Sequence, residues 1–193
     1  MKLGLVSLAV AALFASLAVV PAQAAVETFD IDAVHSTVLF RVKHMNTSWA
    51  YGRFNGISGK VAYDATAPEA SSIEIKVDAA TVDTADAKRD AHLKAPDLFD
   101  VAKFPTITFT STAVKKAGEN LLDVTGNLTL HGVTKSIEIR VEMTGTAKGR
   151  GGESLIGFES TFQIKRSEFG MTYGIPNLGD DVRMTVSLEC SHK

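Results

Sequence analysis

The chain has a single cysteine and no block of like charge, and both shortages limit what it can be. Cys190 is the only cysteine in the 193-residue sequence, so an intrachain disulfide is excluded and the domain must depend on its hydrophobic core for stability. We expect Cys190 to be a small buried hydrophobic residue, with an intermolecular disulfide as the alternative. The formal net charge is −2 and no run of lysine or arginine stands out, so nucleic acids and anionic membrane surfaces are not the expected partners.

Recognisable catalytic and metal-binding motifs are also missing. The sequence contains no Gly-x-Ser-x-Gly, no His-x-x-x-His, no Cys-x-x-Cys and no phosphate-binding glycine loop. These absences argue against an enzyme, and we expect neither a metal ion nor a cofactor. The alternative is an enzyme that uses His44 or His92 as a base. The histidines lack metal-ligand spacing; they are His35, His44, His92, His131 and His192.

The N-terminus has the pattern of a secretory signal peptide. Met1 and Lys2 give a short positive start, a long apolar run follows, and Ala22-Gln23-Ala24 is a small-x-small cleavage pattern. The sequence predicts cleavage after Ala24, which leaves one domain over residues 25–193 in the periplasm, with no membrane span after cleavage. The alternative is an uncleaved membrane anchor.

Most of the remaining chain alternates between apolar and polar residues with a period of two, which is typical of half-buried β-strands. Turn residues separate about eight such runs, and the short connections favour antiparallel neighbours. The sequence therefore predicts an all-β domain, either a sandwich or an eight-stranded antiparallel barrel. The runs are "HSTVLFRVKH", "SSIEIKVDAATV", "TKSIEIRVEMTG", "IGFESTFQIK" and "DVRMTVSLEC", with further strands at 53–63, 106–114 and 121–130.

One segment interrupts the β pattern. Residues 84–105 are rich in alanine, lysine and aspartate, which favours a helix with Thr84 as its N-cap and Pro96 at its end. Such an insertion in a β domain is either a lid over a site or a plain plug at one end of the barrel.

A permanent charge ends one of the apolar stripes. Phe158, Phe162 and Ile164 share a strand face, and the next residue on that face is Arg166. A buried charge needs a partner. Either Arg166 forms an ion pair with an acid such as Asp180, Asp181 or Asp97 and closes the barrel end, or it binds the polar head of an amphiphile at the mouth of an apolar lumen. His44 ends the stripe of Val38, Phe40 and Val42 in the same way, and Arg89 and His92 share a face of the helical segment.

Five stretches give the sequence a family resemblance. In order they are "DAVHSTVLFRVKH", "GRFNGISG", "RDAHLKAPDLFDVAKFPTITFTST", "GNLTLHGVTKSI" and "IKRSEFGM", and together they resemble the motifs of the YceI-like family of polyisoprenoid-binding proteins. The resemblance runs from Asp32 to Glu189. The chain departs from the family at Lys165, where an asparagine is common. Mapped by motif, the family positions are His35, Ser36, His44, Arg89, His92, Leu93, Phe104, Pro105, Arg166, Phe169 and Gly170.

The resemblance implies an extended, lipocalin-like barrel with a helical insertion around 84–100 and an apolar tunnel that holds an isoprenoid chain, such as a quinone tail or a polyprenyl lipid. It also shifts the interpretation of Arg166 toward head-group binding, so Arg166→Ala is expected to weaken lipid binding and leave the fold largely intact. A stress-related role and a homodimer are further expectations, and a packed structural module without a ligand is the remaining alternative. The predicted head-group residues are His44, Arg89, His92 and Arg166, and the predicted lumen residues are Val38, Phe40, Val42, Phe109, Phe158, Phe162 and Ile164.

Overall fold

The computed structural model describes residues 26–193, so the predicted signal peptide at 1–24 lies outside the described residues. This part of the chain forms eleven β-strands and one short α-helix, joined by turns and three 3₁₀ segments. The strands are β1 (Glu27–Ile31), β2 (Thr37–His44), β3 (Ser48–Phe54), β4 (Ile57–Tyr63), β5 (Ser72–Asp78), β6 (Val82–Asp83), β7 (Thr106–Lys116), β8 (Leu121–Leu130), β9 (Val133–Lys148), β10 (Ser154–Lys165) and β11 (Leu178–His192). The helix α1 is Ala87–Leu93, and the 3₁₀ segments are Pro68–Ala70, Ala79–Thr81 and Arg166–Phe169.

Eight of the strands close into an antiparallel barrel. Their order is β1-β4-β5-β7-β8-β9-β10-β11, and β11 pairs back to β1 where Ile31 lies opposite Cys190. This closure confirms the predicted barrel and removes the sandwich alternative. Long-range pairing between the first and last strands leaves this ring without a free edge, which is the usual advantage of a barrel over an open sheet.

A second group of strands extends the barrel beyond the ring. The N-terminal part of β11 pairs with β2, β2 pairs with β3, and β3 pairs with the two-residue strand β6. Only Arg53 and Phe54 of β3 have a partner in β6, so the part of β3 from Ser48 to Gly52 has β2 as its only paired neighbour among the described strands. The sequence prediction of one strand over 53–63 is wrong here, because the chain turns at Asn55 and Gly56, whose amides bond to Thr81.

The predicted helical insertion is present but shorter than expected. The helix begins after Asp86, whose carboxylate accepts a hydrogen bond from the Arg89 amide at 2.8 Å. Asp86 is therefore the N-cap, and the expectation for Thr84 is wrong, since its amide and hydroxyl bond to Asp90. Beyond the helix the chain continues in turns, and Phe99 packs edge-on against Phe54 with ring centroids 5.4 Å apart.

The lower end of the barrel, where the β7–β8 and β9–β10 turns lie, is filled by apolar side chains. Val61, Val124 and Cys190 are fully buried there, as the period-two pattern predicts. Burial raises the pKa of the Cys190 thiol to about 12, so this residue is a neutral, buried core residue. Over residues 26–193, no helix has both the length and the apolar character needed to cross a bilayer.

A candidate lipid tunnel and its mouth

Three neighbouring cavities lie between the middle of the barrel and its upper end. We name them the lower chamber (about 90 Å³), the upper chamber (about 110 Å³) and the mouth (about 650 Å³). Phe162 and Met184 line both chambers, and Phe40, Leu93 and Leu98 line both the upper chamber and the mouth. Because neighbouring cavities share lining residues, they lie in series, and we name this series the tunnel; its upper end is where β2 turns into β3.

The predicted lumen residues all lie in the walls of the two chambers. Alternation along β2, β7 and β10 places them there, since every second side chain of a barrel strand points inward. Whether they contact a ligand stays a prediction. Val38, Phe109, Phe158 and Phe162 line the lower chamber, and Phe40, Val42, Phe162 and Ile164 line the upper chamber.

Two of these aromatic rings lie against glycines of the neighbouring strand. A Cβ atom added to Gly52 would come within 2.2 Å of the Phe40 ring, and one added to Gly126 would come within 2.4 Å of the Phe109 ring. A glycine inside a strand often marks such a close approach. This role was not predicted from the sequence, although Gly52 and Gly126 each interrupt a run of larger residues and could have indicated it.

Several inward-facing apolar side chains are only partly buried. Ile75, Ile107, Met184 and Val186 belong to this group, and they line the chambers rather than the outer surface. Side chains of a fully packed core would have no such accessible area. The one buried hydroxyl in the lower chamber, Ser160, donates to the Arg140 carbonyl at 2.7 Å, so it leaves the lumen apolar.

The mouth brings together three of the four predicted head-group residues. His44, at the end of β2, and Arg89 and His92, on α1, all line this cavity. Arg89 donates two hydrogen bonds to Thr84, from Nε to the hydroxyl at 2.7 Å and from Nη2 to the carbonyl at 2.6 Å. These two bonds fix the Arg89 guanidinium at the rim of the mouth.

His92 is held between an acid and an aromatic ring. Its Nε2 lies 2.9 Å from Asp97, and its ring meets Tyr173 edge-on at a centroid distance of 5.1 Å. The hydrogen bond to His92 lowers the pKa of Asp97. None of the hydroxyl groups at the mouth, on Ser48, Tyr51, Thr84 or Tyr173, hydrogen-bonds to a histidine among the described residues.

Arg166 lies deeper than the mouth, in the wall of the upper chamber. It is 4% exposed, and its guanidinium donates to the carbonyls of Met171, Leu178 and Gly179, each at 2.8 Å. These bonds tie the segment after β10 to the start of β11. Burial lowers the pKa of Arg166, and the nearby Asp180 carboxylate acts in the opposite direction.

Asp180 does not form the ion pair that one interpretation of Arg166 required. Its two carboxylate oxygens accept from the Ser167 amide and hydroxyl, both at 2.8 Å. Burial works to raise the pKa of Asp180, but these two bonds and the charges of Lys165 and Arg166 bring it below its usual value. Arg166 is held by backbone carbonyls instead, and its predicted contact with a lipid head group stays a prediction.

The His35-Ser36 motif lies on the outer wall, away from the tunnel. The Ser36 hydroxyl donates to the Glu189 carbonyl at 3.2 Å and accepts from its amide at 3.1 Å, which joins the start of β2 to β11. His35 Nδ1 lies 2.9 Å from Asp32, and this bond raises the pKa of His35 and lowers that of Asp32. The motif thus stabilises the point where the pairing partner of β11 changes from β1 to β2.

Comparisons with known proteins agree with this architecture. The sequence profile of the YceI-like domain family matches residues 29–190. Protein YceI of Salmonella newport is 38% identical over 168 residues, which cover 87% of each chain. The crystal structure of the YceI protein of Campylobacter jejuni superimposes with a TM-score of 0.71 at 33% identity, covering 78% of this chain and 90% of that one. A polyisoprenoid-binding domain from Saccharophagus degradans shares the fold, with a TM-score of 0.70 at 19% identity over 87% of this chain and 99% of that one.

Proposed function

The chain belongs to the YceI-like domain family, and from this premise we propose that it is a periplasmic binding protein that holds an isoprenoid lipid in its barrel tunnel. The observation that carries the proposal is the tunnel itself. Its two chambers are lined almost wholly by aliphatic and aromatic side chains, and a wider, partly polar mouth lies next to the upper chamber. This is the shape expected for a slender apolar tail with a polar head.

The size of the tunnel favours a long chain over a compact ligand. The wall strand β11 runs from Leu188 in the lower chamber to Leu178 at the mouth. At about 3.3 Å per residue and a strand tilt of about 40°, this path gives a depth of about 25 Å. An apolar protein cavity that binds benzene has a volume of about 150 Å³. The two chambers, at about 90 and 110 Å³, are each smaller than that, so each would hold a segment of a slender chain rather than a compact ligand.

Burial of apolar area would supply most of the affinity. At about 25 cal/mol per Å², a tail that removes on the order of 400 Å² from water gains ~10 kcal/mol before the costs of immobilisation. The polar groups at the mouth would add orientation and selectivity more than affinity. In this proposal His44, Arg89 and His92 contact the head group, while Arg166 holds the backbone around the upper chamber.

Two further observations support an isoprenoid as the occupant. The Saccharophagus degradans domain, which has the same fold, is a polyisoprenoid-binding domain. The N-terminal signal pattern would deliver the protein to a compartment bounded by lipid membranes. The stress-related role and the homodimer stay predictions.

Organic extraction followed by mass spectrometry tests the proposal. The protein is purified from its native host without detergent, and the extract is compared between the wild type, Val186→Phe and Ser187→Phe. Val186 faces the lower chamber, and Ser187 is its outward-facing neighbour on the same strand. We expect a stoichiometric prenyl amphiphile from the wild type and from Ser187→Phe, and much less from Val186→Phe, because the added ring fills the chamber.

The same experiment can overturn the proposal. Folded wild-type protein that yields no lipid, and that takes up no long-tailed prenyl quinone added from solvent, would support a structural module instead. Equal amounts of lipid from Val186→Phe and the wild type would show that the chamber is not the binding site.

A further inference from the structure

We propose that the outer face of β11, β2 and β3 beside the mouth docks the barrel on an anionic lipid membrane surface. We name this surface the basic-aromatic face and define it by Arg41, Lys43, Trp49, Tyr51 and Arg183. The inference rests on the proposed function, since it concerns how a lipid would enter or leave the same tunnel.

The register of the three strands assembles this face. Arg41 lies opposite Arg183 on one side and opposite Tyr51 on the other, and Lys43 lies opposite Trp49. The Arg41 guanidinium carbon is 4.5 Å from the centre of the Trp49 ring, and Lys43 Nζ is 4.9 Å from it. Two cations therefore stack on one indole ring, which holds them in a fixed array on the surface.

The three cations of this face lack acidic partners. The salt bridges of residues 26–193 involve none of them. Arg41 donates from Nη1 to the Tyr51 hydroxyl at 3.3 Å and Lys43 donates to the Thr47 carbonyl at 3.3 Å, but the buried Nε of Arg41 has no hydrogen-bond partner within the part of the chain that the structure describes. Like charges directly opposite each other destabilise a strand pair. The pairing of Arg41 with Arg183 in a chain of net charge −2 thus points to an anionic partner.

The aromatic residues of this face favour a membrane as that partner. Trp49 is 44% exposed and Tyr51 is 59% exposed, and both also line the mouth of the tunnel beside Met45 and Tyr173, which are exposed as well. Tryptophan and tyrosine prefer the boundary between lipid tails and head groups, because their rings are apolar and their edges are polar. A rim of such residues next to arginine and lysine complements an anionic head-group layer above an apolar interior.

The position of the face explains how docking would assist lipid transfer. Because it borders the mouth, contact with a bilayer would bring the tunnel opening to the surface that contains the lipid. A tail could then pass between bilayer and chamber with little exposure to water. The linear sequence argues against anionic surfaces, since Arg41, Lys43 and Arg183 do not form a run; only the sheet makes them neighbours.

Vesicle co-sedimentation tests the proposal. Protein purified from its host is mixed with vesicles of phosphatidylcholine alone, or of equal parts phosphatidylcholine and phosphatidylglycerol. We expect binding to the anionic vesicles that weakens as salt is added, because salt screens surface charge. Removing one basic residue lowers affinity for an anionic surface about fivefold, so the triple variant Arg41→Gln/Lys43→Gln/Arg183→Gln should bind about a hundredfold more weakly.

The charge-matched control lies at the opposite end of the barrel. Lys115, Lys116 and Lys148 are exposed next to the β7–β8 and β9–β10 turns, and changing all three to glutamine should leave vesicle binding close to the wild type. Thermal unfolding checks that each variant is folded. The single variant Arg183→Gln, which keeps the stacking on Trp49, should lose about fivefold.

Several results would overturn the proposal. They are equal binding of the wild type to both kinds of vesicle, wild-type binding by the triple variant, and an equal loss in the control variant. The lipid content of the extracted protein is measured in parallel. If vesicle binding behaves as expected but no lipid is extracted, the proposed function fails and the docking face stands.

Discussion

Replacing Arg166 by alanine should destabilise the protein strongly. The side chain donates to three backbone carbonyls at 2.8 Å and is almost fully buried. Hydrogen bonds to a charged donor each contribute about 1.5–3 kcal/mol. The loss is smaller than the sum of the three bonds, because Leu178 and Gly179 are only half-buried and water can reach their carbonyls after truncation. We therefore expect Arg166→Ala to lower the free energy of unfolding by about 3–5 kcal/mol, a large effect for one substitution.

The expected change is measurable by two independent methods. For a domain of this size it corresponds to a fall in Tm of roughly 6–20 °C, and denaturant unfolding should show a lower midpoint with an unchanged slope. Arg166→Lys should fall between the wild type and Arg166→Ala, because a lysine carries a point charge that cannot bridge three carbonyls. Lys165→Ala is the matched control, since the exposed pair of Lys165 and Asp181 contributes little.

This expectation reverses the one drawn from the sequence, in which Arg166→Ala leaves the fold intact. Unfolding of Arg166→Ala within about 1 kcal/mol of the wild type, together with loss of extracted lipid, would refute the structural role of Arg166. It would then support a direct contact between Arg166 and the head group. A strong destabilisation with lipid retained in the folded fraction would show that Arg166 stabilises the backbone and is not needed for lipid binding.

Two further predictions follow from titratable groups. The thiol of Cys190, whose pKa is raised to about 12 by burial, should not react with a thiol reagent at neutral pH until the protein unfolds, whereas rapid labelling of native protein would contradict its burial. The pKa of Asp180 is lower in the folded protein than its ordinary value of 3.8, so its contribution to stability is complete above that pH and is lost as the pH falls through the folded value. Denaturant unfolding of the wild type and Asp180→Asn should therefore differ most above pH 4 and converge in more acidic solution, and a difference that does not depend on pH would contradict this assignment.

The walls of the tunnel could be predicted because they depend on local periodicity. Alternation with a period of two is a property of a single strand, so the inward positions of Val38, Phe40, Phe158 and Phe162 follow from the printed sequence once the strands are recognised. The same applies to the burial of Cys190, which continues the apolar stripe of β11. The helical segment was also recognisable from composition, although its cap was not, because Thr84 and Asp86 are both good capping residues.

The partners of these strands were decided by contacts between distant parts of the chain. The sandwich and the barrel differ in the pairing of β1 with β11, which places Ile31 opposite Cys190. This pairing leaves no pattern in the sequence of either strand. The three carbonyls that hold Arg166 and the close approach of Phe40 to Gly52 depend equally on registers between strands. Alternation states which face a side chain occupies, but only closure of the sheet decides what that face meets. That is why the inward faces of the strands could be predicted from the sequence, whereas the role of Arg166 and the basic-aromatic face required the tertiary structure.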